Sequence, residues 1–241
     1  MKNVIIQKAG LTALAFGWLI VLSCSTGVIT GQTVRETRDL PAFNAVALTM
    51  SANVFISQGN PQRVEVEAEK SNMEIIETEL DGSTLKITTQ KGHWRDLGKV
   101  NVYITVSDIR SLSVSGSGDI TCQTAVKSGE IDIDVSGSGS ISVPTLESSD
   151  IAVTITGSGN VKLAGTNAQA TLETLITGSG SFNGEELQVA RGDINITGSG
   201  SARVNVLKEL ETNITGSGNV LYKGNPVINA TATGSGKTKS L

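Results

Sequence analysis

Aromatic residues make up only 3% of this 241-residue chain, there are two cysteines, and His93 is the only histidine. Each scarcity excludes something. With so few rings, a core has to come from Val, Ile and Leu. One histidine rules out multi-histidine metal centres and leaves a Ser-His-Asp triad a single place to form, in the stretch from Lys91 to Asp96. Positive charge is short too: 19 Lys and Arg stand against 23 Asp and Glu, for a net charge of -4. Such a surface repels phosphate backbones, so nucleic acid is not an expected partner. Long apolar runs are also missing. Ala9 to Leu22, broken only by Thr12, falls short of the about 20 residues a membrane helix needs, and with Lys2 and Lys8 around its start it reads as the h-region of a signal peptide over residues 1–23.

Val21-Leu22-Ser23-Cys24 closes that segment and resembles a bacterial lipobox, which predicts cleavage before Cys24 and a lipid on the new first residue. Ordinary cleavage near Ser25 is the other reading, and it gives a soluble periplasmic or secreted protein. Residues 24–31 then form a linker. One further thiol, Cys122, cannot close a disulfide within a mature chain that has lost or lipidated Cys24, and its place two after Ile120 marks it as a small buried hydrophobe.

Glycine is what the chain has in excess, 27 residues against a usual share of about 7%. Most of the excess sits in a repeated G-S-G word whose first glycines are Gly116, Gly137, Gly157, Gly178, Gly198, Gly216 and Gly234. A near-constant period of about 20 residues marks a solenoid. Each word is flanked by period-two alternation, as in Ile131-Asp132-Ile133-Asp134-Val135 before it and Ser140-Ile141-Ser142-Val143 after it, which is strand and not helix. A flexible Gly/Ser linker would lack that alternation, and a dinucleotide loop would have to open a helix.

Aligning the repeats on their glycines gives columns of uniform chemistry. Two places before stand Val114, Val135, Ile155, Ile176, Ile196, Ile214 and Ala232; after the turn stand Ile120, Ile141, Val161, Phe182, Ala202 and Val220. Between the first ladder and the glycines lies a row of hydroxyls, from Ser115 and Ser136 to Thr233. Like over like at about 4.8 Å is what a parallel β-coil demands. Corner glycines Gly116, Gly118, Gly137, Gly139, Gly157, Gly159, Gly178, Gly180, Gly198, Gly200, Gly216 and Gly218 permit positive φ or close backbone approach. The stretches at 126–129, 146–149, 166–169 and 187–190 supply a third side. The predicted fold is therefore all-β: a right-handed, single-stranded parallel β-helix of about seven rungs over 111–241, on the order of 35 Å long. Residues 32–110 form a less regular β region that covers its first rung. Within it, Leu48, Thr49 and Asn53 take the places of Val135, Ser136 and Ser140, with Met50 and Ala52 where the glycines stand.

The Phe43-Asn44-Ala45-Val46 lead-in, the Val54–Gly59 segment, the Val102–Val106 strand running into Leu112–Gly118, and the G-S-G repeats that follow together resemble the putative auto-transporter adhesin, head GIN domain family of exported bacterial proteins. The likeness spans residues from about 38 to about 236. It implies a right-handed β-helix, often behind a lipoprotein signal, with an adhesin-like role and no catalytic residues to carry over.

Three constellations could bear chemistry. Trp94 and Arg95, in the one polar-aromatic cluster, are candidate contact anchors, although the cluster also fits a plain hairpin loop. Five places before each first glycine run Ser111, Asp132, Ala152, Glu173, Asp193 and Glu211. These four carboxylates could hold a hard cation such as Ca²⁺ or simply keep a face soluble. Asp132 and Asp134 share a face as a glycosidase pair would, but no aromatic platform lies beside them, since Phe43, Phe55, Tyr103, Phe182 and Tyr222 fall mostly at inward positions. The expected function is a non-enzymatic, cell-envelope adhesin or scaffold, without cofactor, held as an outer-membrane lipoprotein or free in the periplasm. Its partners would be a protein or glycan ligand, the membrane through the lipid, and further copies of itself. The alternative is a β-helix that binds or cleaves polysaccharide.

Overall fold

Alternation on both sides of every G-S-G corner forces the chain to turn there with its aliphatic side chains inward, and the computed structural model shows it doing so. It describes residues 31–91 and 97–241; the signal segment, Cys24, His93, Trp94 and Arg95 lie outside the described residues. In the N-terminal region the strands are β1 (Thr33–Arg38), β2 (Ala45–Leu48), β3 (Asn53–Gln58), β4 (Arg63–Glu69), β5 (Ile76–Asp81), β6 (Thr84–Thr89) and β7 (Asn101–Val106). The repeats begin with β8 (Ser111–Gly116), β9 (Asp119–Cys122) and β10 (Val126–Lys127), then β11 (Glu130–Gly137), β12 (Ser140–Val143) and β13 (Leu146–Glu147). β14 (Asp150–Gly157) leads to three long strands that bend across the third side, β15 (Asn160–Gly178), β16 (Ser181–Gly198) and β17 (Ser201–Gly216); β18 (Asn219–Lys223), β19 (Val227–Gly234) and β20 (Lys237–Ser240) close the coil.

The register is the one the glycine alignment predicts. Val114, Val135, Ile155, Ile176 and Ile196 are successive partners in parallel pairs, as are Ile120, Ile141, Val161, Phe182 and Ala202. From Leu48 through Ile214 the first of these columns is no more than 1% exposed. Volume is shared between neighbouring layers: the ring of Phe182 is accommodated by Ala202 on the next rung and by Gly184, where an added Cβ would lie 2.7 Å from the ring. On the third side Asn167 lies buried, accepting from the amide of Ser148 at 2.8 Å and donating to the carbonyl of Leu146 at 2.9 Å. Seven G-S-G corners bound six complete turns, so the predicted count of about seven holds for corners and is one high for full turns.

The N-terminal region covers the first rung, as expected, and does so by continuing the coil. The predicted degenerate repeat is real, with Leu48 paired to Val114 and Asn53 to Asp119. But β2 and β3 lie between two other levels, because β6 pairs with β2 and β7 with β3, both in parallel. The region therefore extends the coil by two levels, laid down out of sequence order. Only then does antiparallel pairing finish the edge: β5 returns along β6, β4 along β7, and β1 along β4. The β5–β6 hairpin turns at Gly82-Ser83, because Asp81 still pairs with Thr84.

The two glycines of each corner answer different demands. The first has positive φ, +116° at Gly178 and +120° at Gly198, which L side chains resist. The second is pressed against the rung below: a Cβ at Gly180 would stand 2.8 Å from the carbonyl oxygen of Gly159. The serine between them serves through its backbone, the amide of Ser179 donating to the carbonyl of Gly157 at 2.8 Å and that of Ser199 to Gly178 at 2.8 Å. Gly180→Ala should therefore cost about 1–3 kcal/mol, because a carbonyl cannot swing aside as a side-chain tip can. Gly129→Ala, with nothing within 4 Å of its would-be Cβ, should stay within about 0.5 kcal/mol of wild type. Urea denaturation midpoints of the two variants test this; equal losses would contradict it.

Candidate functional site

Because inner and corner positions are fixed by packing, the outward columns are where the described repeats can carry chemistry. On the first face, which leads into each corner, Asp132, Ala152, Glu173, Asp193 and Glu211 follow one another in register. Asp134 and Asp150 lie beside this row, and Glu130, Asp132, Asp150 and Glu173 rim a shallow open depression over β11, β14 and β15. Asp193 accepts from the amide of Asn195 at 2.9 Å. No ion pair among the described residues engages Asp132, Glu173, Asp193 or Glu211, whereas neighbouring Glu209 meets Arg191 at 3.5 Å and Glu130 meets Arg110 at 3.5 Å. Burial, and then repulsion from Asp132, push the carboxyl of Asp134 above its usual range against a hydrogen bond from Thr154.

Of the two uses the row could have, cation binding finds no support in its geometry. Successive members come from successive rungs, about 4.8 Å apart, and project side by side. Among the described residues no three acidic, histidine or cysteine groups gather as a metal cage requires. Asp132 and Asp134 stand two apart on one strand, both exposed.

The second face, which follows each corner, differs at its two ends. Near the N-terminal edge it carries a stack that sequence reasoning missed. Phe55 and Tyr103 face outward with ring centroids 5.3 Å apart and planes inclined by 22°, and the guanidinium of Arg35 lies 4.2 Å from the Tyr103 centroid. Arg35 donates to Glu67, whose other oxygen accepts from Asn101 at 2.9 Å; Asn101 in turn accepts from Asn53 at 3.1 Å. This charge-assisted bond holds Glu67 below the usual carboxylate range. The strand alternation contained the signal, since Val54, Ile56, Val102 and Ile104 are all buried and the residues between them must point out. With Arg35 above and Phe55 below, Tyr103 offers only its edge, so the stack fastens β1 to the coil and is not an open platform. Phe43 and Phe182 are buried as predicted. At the other end of this face Lys162, Arg203 and Lys239 stand exposed on alternate rungs, with Lys223 and Lys237 nearby.

Of the remaining predicted residues, the corner glycines are all where expected, and Cys122 is buried, its thiol pushed up to about 12 by desolvation. Trp94 and Arg95 fall outside the described residues, between β6 and β7.

A family model described as putative auto-transporter adhesin, head GIN domain, matches residues 42–226. The fold is similar to that of a putative adhesin from Bacteroides fragilis, with 21% identity and a TM-score of 0.82 over 87% of this chain and 97% of that one. A putative adhesin from Parabacteroides merdae shares 19% identity with a TM-score of 0.72, covering 88% and 97% of the two chains. A putative lipid binding protein from Parabacteroides distasonis shares 20% with a TM-score of 0.71, covering 88% and 98%. No curated protein matches the sequence.

Two measurements check the site description. In a Cys24→Ala chain, Cys122 should resist thiol reagents at pH 8 until denaturant opens the coil; rapid native-state labelling would show that the strand around it opens. Asp134 binds its proton more tightly folded than unfolded, so its penalty is absent below the ordinary aspartate pKa and develops as pH rises through the raised folded value. Asp134→Asn should accordingly raise the denaturation midpoint at pH 7 and lose that advantage at pH 3.

Proposed function

The chain belongs to the putative auto-transporter adhesin, head GIN domain family, and on that footing we propose that it is an exported, non-enzymatic protein of the bacterial cell envelope that binds a protein or glycan partner across a broad face of its coil. The observation that carries this reading is the first face, where the carboxylates of Asp132, Glu173, Asp193 and Glu211 form a row that no ion pair among the described residues engages. Carboxylates left uncompensated on a preformed sheet favour a partner that brings positive charge or hydrogen-bond donors, and steer its approach. The lipobox-like segment supports anchoring through Cys24, and the composition of the 91–96 stretch makes Trp94 and Arg95 additional contacts in this reading.

A binding survey of the purified protein against host matrix proteins and glycans tests the reading. Saturable binding should appear for at least one ligand, weaken by roughly tenfold or more in Asp132→Asn/Glu173→Gln/Glu211→Gln, and fall as salt rises. Glycan turnover abolished by Asp132→Asn would overturn it in favour of an enzyme. Metabolic labelling with a lipid analogue should mark the full chain and not Cys24→Ala; equal labelling of both would remove the anchor.

A further inference from the structure

The two charged rows share one ruler. On the first face Asp132, Glu173 and Glu211 recur on every second rung, with Ala152 and Asp193 on the rungs between. On the second face Lys162, Arg203 and Lys239 also recur on every second rung, with Asn183 and Leu221 between them. Both intervals are two turns of the same coil, about 10 Å. The coil therefore presents Asp132, Glu173 and Glu211 at two-rung intervals on one face, with Asp193 as a fourth negative charge between the last two, and three positive charges on the next face at the same two-rung interval. No ion pair among the described residues satisfies Lys162 or Lys239, and Arg203 has only an exposed contact of 3.4 Å with Glu185.

We propose that a second copy of this chain is a partner for the acidic first face: the carboxylate row of one copy docks against the Lys162-Arg203-Lys239 row of another, one rung out of step. This rests on the reading of the first face as a binding surface and names an occupant for it. Charges about 10 Å apart on a rigid body are matched by a body with the same repeat, and another copy of this coil supplies that repeat without adjustment. The contact is heterologous, because it joins different faces of the two copies, so a docked pair leaves one acidic and one basic face free and growth continues to a ring or a filament according to the rotation between copies. Strand addition at the coil end is not needed for it, and Lys237 and Lys239 on the last strand oppose such addition.

Sedimentation velocity over a range of concentrations tests the proposal at about 10 mM and about 1 M salt, where charge interactions reach roughly 30 Å and roughly 3 Å. The wild type should form concentration-dependent oligomers at low salt and be monomeric at high salt. Lys162→Gln/Arg203→Gln/Lys239→Gln and Asp132→Asn/Glu173→Gln/Asp193→Asn/Glu211→Gln should each be monomeric alone, with unchanged circular dichroism because none of these residues is buried. Mixed together, the two should give a 1:1 complex that does not extend, since each retains only one charged face. Monomeric wild type at low salt, association unaltered by 1 M salt, or a mixture that stays monomeric would each overturn the proposal. The binding survey reads separately: ligand capture by a protein that never self-associates sinks the second copy as partner and leaves the broad-face reading standing.

Discussion

Everything in this fold depends on how closely one G-S-G corner can approach the corner beneath it. A serine amide reaches a glycine carbonyl at 2.8–2.9 Å on six successive rungs, from Ser138 to Ser235. That contact is open only if the second glycine of each corner carries no side chain, as the 2.8 Å between a would-be Cβ of Gly180 and the carbonyl of Gly159 shows. Once the corners are seated, the strands on either side are held in register, and register dictates which residues face in. The aliphatic columns follow from the corners as much as from hydrophobicity. Glycine excess and aromatic scarcity have the same origin: one is needed at every bend, and a ring as large as Phe182 is tolerated where Ala202 and Gly184 leave room for it.

That linkage explains what the sequence disclosed and what it withheld. Columns read from glycine spacing alone agree with the observed partners down to the disguised first repeat, where Met50 and Ala52 replace the glycines, because every rung solves the same packing problem. The position of β6 and β7 was hidden. Periodicity says that 84–89 and 101–106 are strands, but not that they precede β2 and β3 in the stack, since parallel neighbours need not be neighbours in sequence. The Phe55–Tyr103 stack was legible in principle from the buried Val54 and Ile56. It was overlooked because aromatics are usually assigned inward, and here one covers the other on the outside instead.

Function was the least legible, for the same physical reason. Outward columns carry no packing constraint, so Asp132, Ala152 and Glu173 can follow one another without disturbing the coil. Such freedom allows one face to become acidic and another basic, each with the spacing of the rungs. Recognition by such a protein is a property of rows and not of single residues. A row of carboxylates projecting in one direction does not enclose an ion, but it can be matched by another extended surface.

The placement of β2 and β3 between β6–β7 and β8–β9 also governs how the chain can be assembled and lengthened. The first coil in the sequence is an interior layer, so the stack grows away from it in two directions: residues 63–106 complete one side and everything from 111 onward builds the other. Turns on the second side follow sequence order, so duplication of a unit of about 20 residues there would lengthen the protein without rethreading it. Duplication on the first side would have to pass a strand already enclosed. A molecule built this way has one end that is settled and one that remains open to evolutionary extension.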